Sequence, residues 1–288
     1  MSTLYKFRTF SDPHHLRLLT ENEVWFSAPV QFNDPFDCNI PLRFDKCPED
    51  WLLERMTEHA LSQHPEISIE EAQKIATDEL SQTRGSEERR AVRWHQFKQS
   101  VSPVTGVLSL SSHWKQEGAE LLWSHYAEKH TGFVVGFNEE MMLSWMRKVS
   151  GAPEDAKFKD PSKGLDVRPA PVEYVNDMPS LVPCEESEVD LIRKLVTHKS
   201  EAWSYEDEVR YLMFNFDSDL RTVRISDDNR AQKIPEEAID EVTLGVNVSV
   251  NDAQQTKEIL REKDAEVDLY WARLKEGEFG VERTPLQF

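Results

Sequence analysis

A long run of helical spacing set between stretches patterned as β-strands limits this chain more than any other feature. From Pro48 to about Gln99, apolar residues recur three and four positions apart: Trp51, Leu52, Met56, Ala60 and Leu61, then Ile69, Ala72, Ile75, Ala76 and Leu80, then Val92, Trp94 and Phe97. That spacing draws an apolar stripe along one helix face. On either side the pattern turns β-like, in LYKF (4–7), EVWFS (23–27), VTGVLSLSS (104–112), TGFVVGF (131–137), VEYV (172–175), EVRYLMFNF (208–216) and AIDEVTLGV (238–246). Helical patterns over 14–20, 121–129, 185–199 and 252–263 lie between some of them. Strands in irregular order with bunched helices predict an α+β fold with a mixed or split β-sheet, not a doubly wound parallel one. The expected organisation is a single α+β domain over 1–288, flanked by helices and carrying a helical insertion at 48–100. EERR (87–90) reads as a solvated helix face, and the Pro-, Lys- and Asp-rich stretch from Ser150 to Pro171 as a surface loop.

Charge narrows the classes of function. Fifty-three acidic residues against 34 basic ones give a formal charge of −19, which repels phosphate backbones in general and argues against simple electrostatic coating of nucleic acid. Cys38, Cys47 and Cys184 are odd in number and without CxxC spacing, so they read as reduced thiols, neither a disulfide framework nor a zinc signature. MSTLYKFRTF carries no apolar signal core and no stretch approaches 18 apolar residues, so the expected setting is the cytoplasm, with no membrane partner.

Four polar–aromatic clusters are candidates for chemistry. Tyr5-Lys6-Phe7-Arg8 closes the first strand, and Arg8 leaving that strand can clamp a phosphate or carboxylate in two-point fashion, with an ordinary surface arginine as the bland alternative. Trp25-Phe26-Ser27-Ala28-Pro29 and Phe32-Asn33-Asp34-Pro35-Phe36-Asp37 form a proline-stiffened ledge. There Ser27, Asn33, Asp34 and Asp37 either orient a ligand or bond their own backbone in Asx-turns.

The third cluster pairs Ser109-Leu110-Ser111 on a strand with Leu122-Trp123-Ser124-His125-Tyr126-Ala127 and His130. On one continuous helix Trp123, Tyr126 and His130 would share a face, with His125 pointing elsewhere. Tyr126 is suited to stacking on a planar ring, and His125 stands with it as a ligand-binding candidate. His125 and His130 do not have the i, i+4 spacing of a helical metal pair, so no metal site is assigned.

The fourth, Trp203-Ser204-Tyr205-Glu206-Asp207-Glu208-Val209-Arg210, enters an apolar strand. Glu206 and Glu208 would share one face of an extended chain, with Asp207 opposite. Such carboxylates can hold a ribose hydroxyl and stabilise an oxocarbenium-like transition state, with Arg210 beside them as a ligand-binding candidate, or they can pair with Arg210 and Lys199. GxGxxG, Walker A, GxSxG and HExxH are all absent from the sequence.

LYKFR, VWFSAPVQFNDPFDC, LLWSHYAEKHTGFVVGF, the stretch from Lys199 through WSYEDEVR, and EVTLGV together resemble a widespread bacterial family known only as a domain of unknown function. That resemblance spans nearly the whole chain, with 48–100 its least typical part. A second resemblance is to Arg–Ser–Glu ADP-ribosyltransferases, whose motif order is matched by Arg8, Ser109-Leu110-Ser111 and Glu206-Asp207-Glu208. The match departs in lacking Thr between the serines and in the long gap after Arg8. It implies an ADP-ribosyltransferase-like fold and NAD as substrate. By the same resemblance Arg8 would bind the NAD phosphates, and Ser109 or Ser111 would brace the site. Tyr126 would stack on nicotinamide, Glu208 would hold the ribose hydroxyl and Glu206 would assist transfer.

The leading expectation is therefore an NAD-dependent ADP-ribosyltransferase-like enzyme of toxin or phage-defence type, acting on a protein or nucleic-acid acceptor, with Arg8 and Glu208 in one cleft. One competitor is a non-catalytic binding or regulatory module with an acidic surface, in which Glu206 and Glu208 only pair with Arg210 or Lys199. Another is a Mg²⁺-dependent phosphoesterase or nuclease using Asp34, Asp37, Glu206 and Glu208.

Overall fold

The computed structural model describes residues 2–83, 87–114, 119–150, 169–214, 225, 227–263 and 266–286. In chain order the first elements are β1 (Thr3–Arg8), α1 (Pro13–Thr20) and β2 (Glu23–Trp25), followed by helices α2 (Glu49–Gln63), α3 (Ile69–Thr83) and α4 (Glu87–Val101). Next come β3 (Thr105–Ser111), α5 (Ala119–Tyr126), β4 (Phe133–Asn138), α6 (Glu139–Ser150), β5 (Ala170–Pro171) and β6 (Glu173–Val175). The last part holds α7 (Glu188–Thr197), β7 (His198–Ser200), β8 (Glu208–Phe214), β9 (Ala231–Lys233), β10 (Ile239–Leu244), α8 (Val250–Arg261), β11 (Asp268–Leu274) and β12 (Val281–Pro285).

Eight strands form one sheet in the order β12-β11-β10-β4-β1-β3-β8-β5, and two small pairs, β2-β9 and β6-β7, stand apart from it. Within the large sheet β10 and β11 run parallel while their neighbours pair antiparallel. The fold is thus α+β with a mixed sheet. Side chains capping their own helices fix three of the starts. Asp12 accepts the amide of His14 ahead of Pro13, Ser187 that of Asp190, and Ser249 that of Asp252, each contributing about 1 kcal/mol.

The main core covers one sheet face, where Leu18, Leu19, Met142, Trp145, Ala253 and Leu260 from α1, α6 and α8 meet Leu4, Leu108, Leu110, Val135, Phe137, Tyr211 and Val242 from the strands. On the other face Leu191, Ile192, Leu195 and Val196 of α7 cover Val107 and Leu212. Trp114, Leu122 and Trp123 cover Phe7, Val134 and Ala272, with the rings of Phe7 and Trp123 edge to face at 5.3 Å.

The sheet is continuous on one side of β1 and split on the other. β1 pairs with β4 from Thr3–Asn138 to Arg8–Phe133, but with β3 only at Tyr5–Ser111. Past that point β3 takes a different neighbour: Ser27 and Val107 exchange both backbone hydrogen bonds at 2.9 Å. The loop after β2 therefore wedges in where β1 would have continued, and a gap opens between β1 and β3.

Several expectations are corrected in detail. The helix expected over 121–129 stops at Tyr126, because Glu128, Lys129 and His130 all have positive φ, at 47°, 56° and 69°. The helix expected over 185–199 gives way at His198 to a strand that carries Lys199. Ile69, Ile75 and Val92, counted in the apolar stripes, are exposed. α2 and α3 pack on each other through Leu52, Met56, Ala76 and Leu80, away from the main core. α6, β11 and β12 carry no expectation from sequence. β11 alternates poorly between buried and exposed positions, so its strand pattern is weak. The side chains of EERR and most of the 150–171 stretch lie outside the described residues. Among the described residues no helix is long and apolar enough to cross a membrane.

Candidate functional site

The gap between β1 and β3 opens into a cleft of about 390 Å³, within the range of ligand pockets. Tyr5, Lys6, Phe7 and Arg8 form one wall and Val107, Ser109, Leu110 and Ser111 the other. The wedge loop adds Ser27, Gln31, Phe32 and Asn33, and α5 adds Leu122, His125 and Tyr126. Lys199, Glu206 and Glu208 complete the lining. Nine of the residues singled out by sequence thus share one cavity: Arg8, Ser27, Asn33, Ser109, Ser111, His125, Tyr126, Glu206 and Glu208.

Glu206 and Glu208 converge by a route other than strand alternation. Glu206 ends a 3-10 turn over Glu201–Glu206, and Asp207 closes that turn in the left-handed conformation (φ 41°, ψ 56°) before β8 begins at Glu208. The reversal at Asp207 turns its own carboxylate out to Ser112 and leaves both glutamates facing Lys199. Lys199 Nζ lies 2.5 Å from Glu206 Oε2 and 3.3 Å from Glu208 Oε2. The Tyr126 hydroxyl donates to the other oxygen of Glu206 at 2.6 Å.

Asp37 and Arg210 lie beneath this floor instead of lining the cleft. Arg210 donates through Nε and Nη2 to Glu208 at 2.8 and 2.9 Å, and through Nη1 and Nη2 to Asp37 at 3.0 and 2.7 Å. Its Nη1 also reaches the Val196 carbonyl at 2.7 Å, and the ring of Phe32 lies 4.9 Å from the guanidinium. Asp34 is an Asx-turn: its Oδ1 accepts the Phe36 amide at 2.9 Å, and it does not line the cleft.

This network sets the charge states. Burial raises the Glu206 carboxyl, and the neighbouring Glu208 adds to the rise against the opposing pull of Lys199. Burial acts to raise Glu208 too, but Arg210 and then Lys199 outweigh it and hold that carboxyl well below its ordinary value. The two adjacent carboxyls are thereby pushed apart, Glu206 upward and Glu208 downward. Burial acts to lower Lys199, yet Glu208, Glu206 and Asp37 together raise it. Burial also raises the Tyr126 phenol.

The opposite wall is cationic. Burial brings Arg8 down to about 10, still a charged group at neutral pH. Among the described residues no carboxylate lies within ion-pair distance of Arg8, whose Nη1 reaches only the Phe7 carbonyl at 3.4 Å. Strand alternation puts Lys6 and Arg8 on the face of Leu4, opposite Tyr5 and Phe7. Only because the sheet is split can Lys6 turn into the cleft, where its Nζ donates to the Ser109 carbonyl at 2.6 Å. At the mouth His125, Trp203 and Tyr205 make an aromatic rim with centroids 5.9–6.4 Å apart.

Gln31 carries no expectation from sequence, while Lys6 and Phe32 stand in their clusters without an assigned role and Lys199 is named only as an ion-pair partner of the glutamates. Strand alternation alone places Lys6 on the Leu4 face, away from Tyr5 and Phe7, and Lys199 falls at the end of the helix expected over 185–199. Lys199, four positions ahead of Trp203, is the local cation that three successive acids need if any are buried.

The fold and site define a class: an α+β protein whose mixed sheet splits to hold a cleft with a buried carboxylate–lysine–arginine floor. Residues 122–211 match a family model described as a protein of unknown function (DUF2971). The matched span includes His125, Tyr126, Lys199, Glu206, Glu208 and Arg210, while LYKFR, VWFSAPVQFNDPFDC and EVTLGV lie outside it. No curated protein and no solved structure matches the chain.

Proposed function

We propose that the cleft binds NAD and transfers its ADP-ribose to an acceptor nucleophile. The observation that carries this reading is that Arg8, on which Asp12 acts as the opposing charge but which has no carboxylate within ion-pair distance among the described residues, lines the same cavity as the Glu206–Glu208 pair. An anionic pyrophosphate suits Arg8. The permanently ionised Glu208 suits a ribose hydroxyl and the positive charge that develops at the anomeric carbon. Tyr126, His125 and Phe32 offer flat surfaces for a nicotinamide or adenine ring.

In this reading the bond from the anomeric carbon to the nicotinamide nitrogen breaks and nicotinamide leaves with the bonding electrons. The acceptor then bonds to that carbon and gives up its proton. Glu206, with its raised carboxyl, is the group suited to hold that proton. Isothermal titration with NAD tests the proposal on the native chain, Arg8→Ala and Glu208→Gln, with melting curves to establish that each variant folds. Saturable binding that both variants weaken supports it. No heat at millimolar NAD with the native chain would sink it.

A second reading is a binding module without catalysis. It is favoured by the saturation of Glu208, both of whose oxygens are already held by Arg210 and one of them also by Lys199. It is distinguished by NAD binding without release of nicotinamide. A magnesium site on Asp34, Asp37, Glu206 and Glu208 has less support. Asp34 turns back on its own loop, Lys199 and Arg210 neutralise the other three, and no group of three such ligands is placed for a metal among the described residues.

A further inference from the structure

Two lysines line this cleft, and their surroundings give them opposite characters. Lys199 touches three carboxylates and stays charged. Lys6 touches none within ion-pair distance among the described residues; its one hydrogen bond goes to a neutral acceptor, the Ser109 carbonyl. Two positions along the same strand face sits Arg8. An amine held by a carbonyl, turned into a cavity and flanked by a guanidinium is in poor surroundings for an ammonium and good ones for a nucleophile.

We propose that Lys6 is an imine-forming amine, condensing with the carbonyl carbon of a small aldehyde or ketone whose phosphate or carboxylate lies against Arg8. This activity does not depend on NAD and is separate from the transfer reaction proposed above. The lone pair of Nζ forms the new bond to carbon, the carbonyl π-bond opens onto oxygen, and a carbinolamine results. Both amine hydrogens then leave with that oxygen as one water molecule while the C=N bond forms, so no oxidant or reductant is required. Glu206, which lines the same cavity, is the carboxyl assigned to carry protons between nitrogen and oxygen once the ligand draws it from Lys199.

The electrostatic surroundings agree with the geometry. Burial lowers Lys6 well below the ordinary lysine value, and the charges of Arg8 and Arg210 add to the fall. Glu208 and Glu206 oppose it, and both are already committed to Lys199 or Arg210. His15, packed beside β1, is itself lowered to about 4 by burial and by Arg8, so it is neutral at pH 7 and adds no charge of either sign. Each unit of depression raises the neutral fraction of an amine at pH 7 about tenfold.

The test uses the full chain with pyridoxal 5′-phosphate and, separately, glyoxylate. Incubation at pH 7 is followed by cyanoborohydride reduction, and the adduct is located by peptide mass spectrometry. The expected result is a reduced adduct concentrated at Lys6, formed at least about tenfold faster than at any other lysine. It should disappear in Lys6→Arg, which keeps a donor for the Ser109 carbonyl but forms no imine. Arg8→Gln should slow labelling by both anionic aldehydes. Labelling spread over surface lysines, with Lys6 no faster than the rest, overturns the proposal. Because the site distribution is measured on the native chain, that outcome does not depend on any variant folding.

Discussion

Arg210 grips Asp37 at two points, Nη1 to Oδ1 at 3.0 Å and Nη2 to Oδ2 at 2.7 Å, and so ties the wedge loop to the far strand across 173 positions. The same guanidinium holds Glu208 at two points. One buried cation therefore sets the position of the loop that splits the sheet and of the carboxylate that floors the resulting cleft. Arginine suits this role where lysine would not, since only a planar fork can satisfy two carboxylates edge on.

Arg210→Met should accordingly be among the most damaging single changes in the chain. It leaves Asp37 and Glu208 buried with Lys199 as the one cation within ion-pair distance among the described residues, and it frees the Val196 carbonyl. Removing one partner of such a network costs about 3–5 kcal/mol. Urea denaturation followed by tryptophan fluorescence would show this as a large fall in midpoint. Arg210→Lys should recover only a small part of the loss. Full recovery by lysine would mean that charge alone, without two-point geometry, holds the loop.

The two glutamates should give the protein opposite pH dependences. Glu208 has a folded-state value below its unfolded one, so its contribution is present above the ordinary carboxylate range and is lost as pH falls toward the folded value. Glu206 is raised, so its contribution is present below the ordinary value and is lost as pH climbs through the folded one. Melting temperatures taken from acid to neutral pH should therefore fall less steeply on acidification in Glu208→Gln than in the native chain. Glu206→Gln should change the slope in the opposite sense above the ordinary carboxylate range. Parallel slopes in all three proteins would show that the network does not separate the two groups.

Gly132 links the HTG motif to Arg8. A Cβ there would fall inside contact with the Arg8 carbonyl oxygen and crowd the backbone of Ala127. The left-handed run Glu128–His130 ends in this close approach, with the Gly132 amide bonded to the Ala127 carbonyl at 2.9 Å. Since the obstacle is backbone on both sides, Gly132→Ala should cost about 2 kcal/mol or more, in the range of overpacked cores. It should also displace Arg8, so any anion that Arg8 holds should bind more weakly even in the folded fraction. Thermal unfolding and anion titration, run on the same variant, measure the two effects separately.

Much of the site was legible from residue types, because Arg8, Ser109, Tyr126, Glu206 and Glu208 stand in short clusters where polar groups interrupt or adjoin apolar strands and helices. What sequence could not give was the reason they meet. The split depends on Ser27 taking the place of β1 beside Val107, a pairing of distant segments that no local pattern announces. Glu206 and Glu208 were expected together for the wrong reason: the left-handed Asp207, not strand alternation, turns them to one side. Asp37 and Arg210 looked like ligand-facing residues because charge in a cluster says nothing about depth. Only burial shows that each is already answered by the other.

Depth also decides the behaviour of the cysteines. Cys38 is fully buried beneath the floor, and burial together with Asp37 pushes its thiol well above the ordinary range. Cys47 is buried in the small core of the helical block, its thiol raised to about 12 by burial and by the adjacent Cys184. Cys184 is the one of the three that is partly exposed. Thiolate is the reactive form, so iodoacetamide at neutral pH should alkylate Cys184 first in the native protein, and all three only after denaturation. Intact-mass spectrometry with peptide mapping reads both states. Early alkylation of Cys38 would mean that the Asp37–Arg210 layer opens on the timescale of the reaction, and that the cleft floor is mobile where its ion pairs describe it as closed.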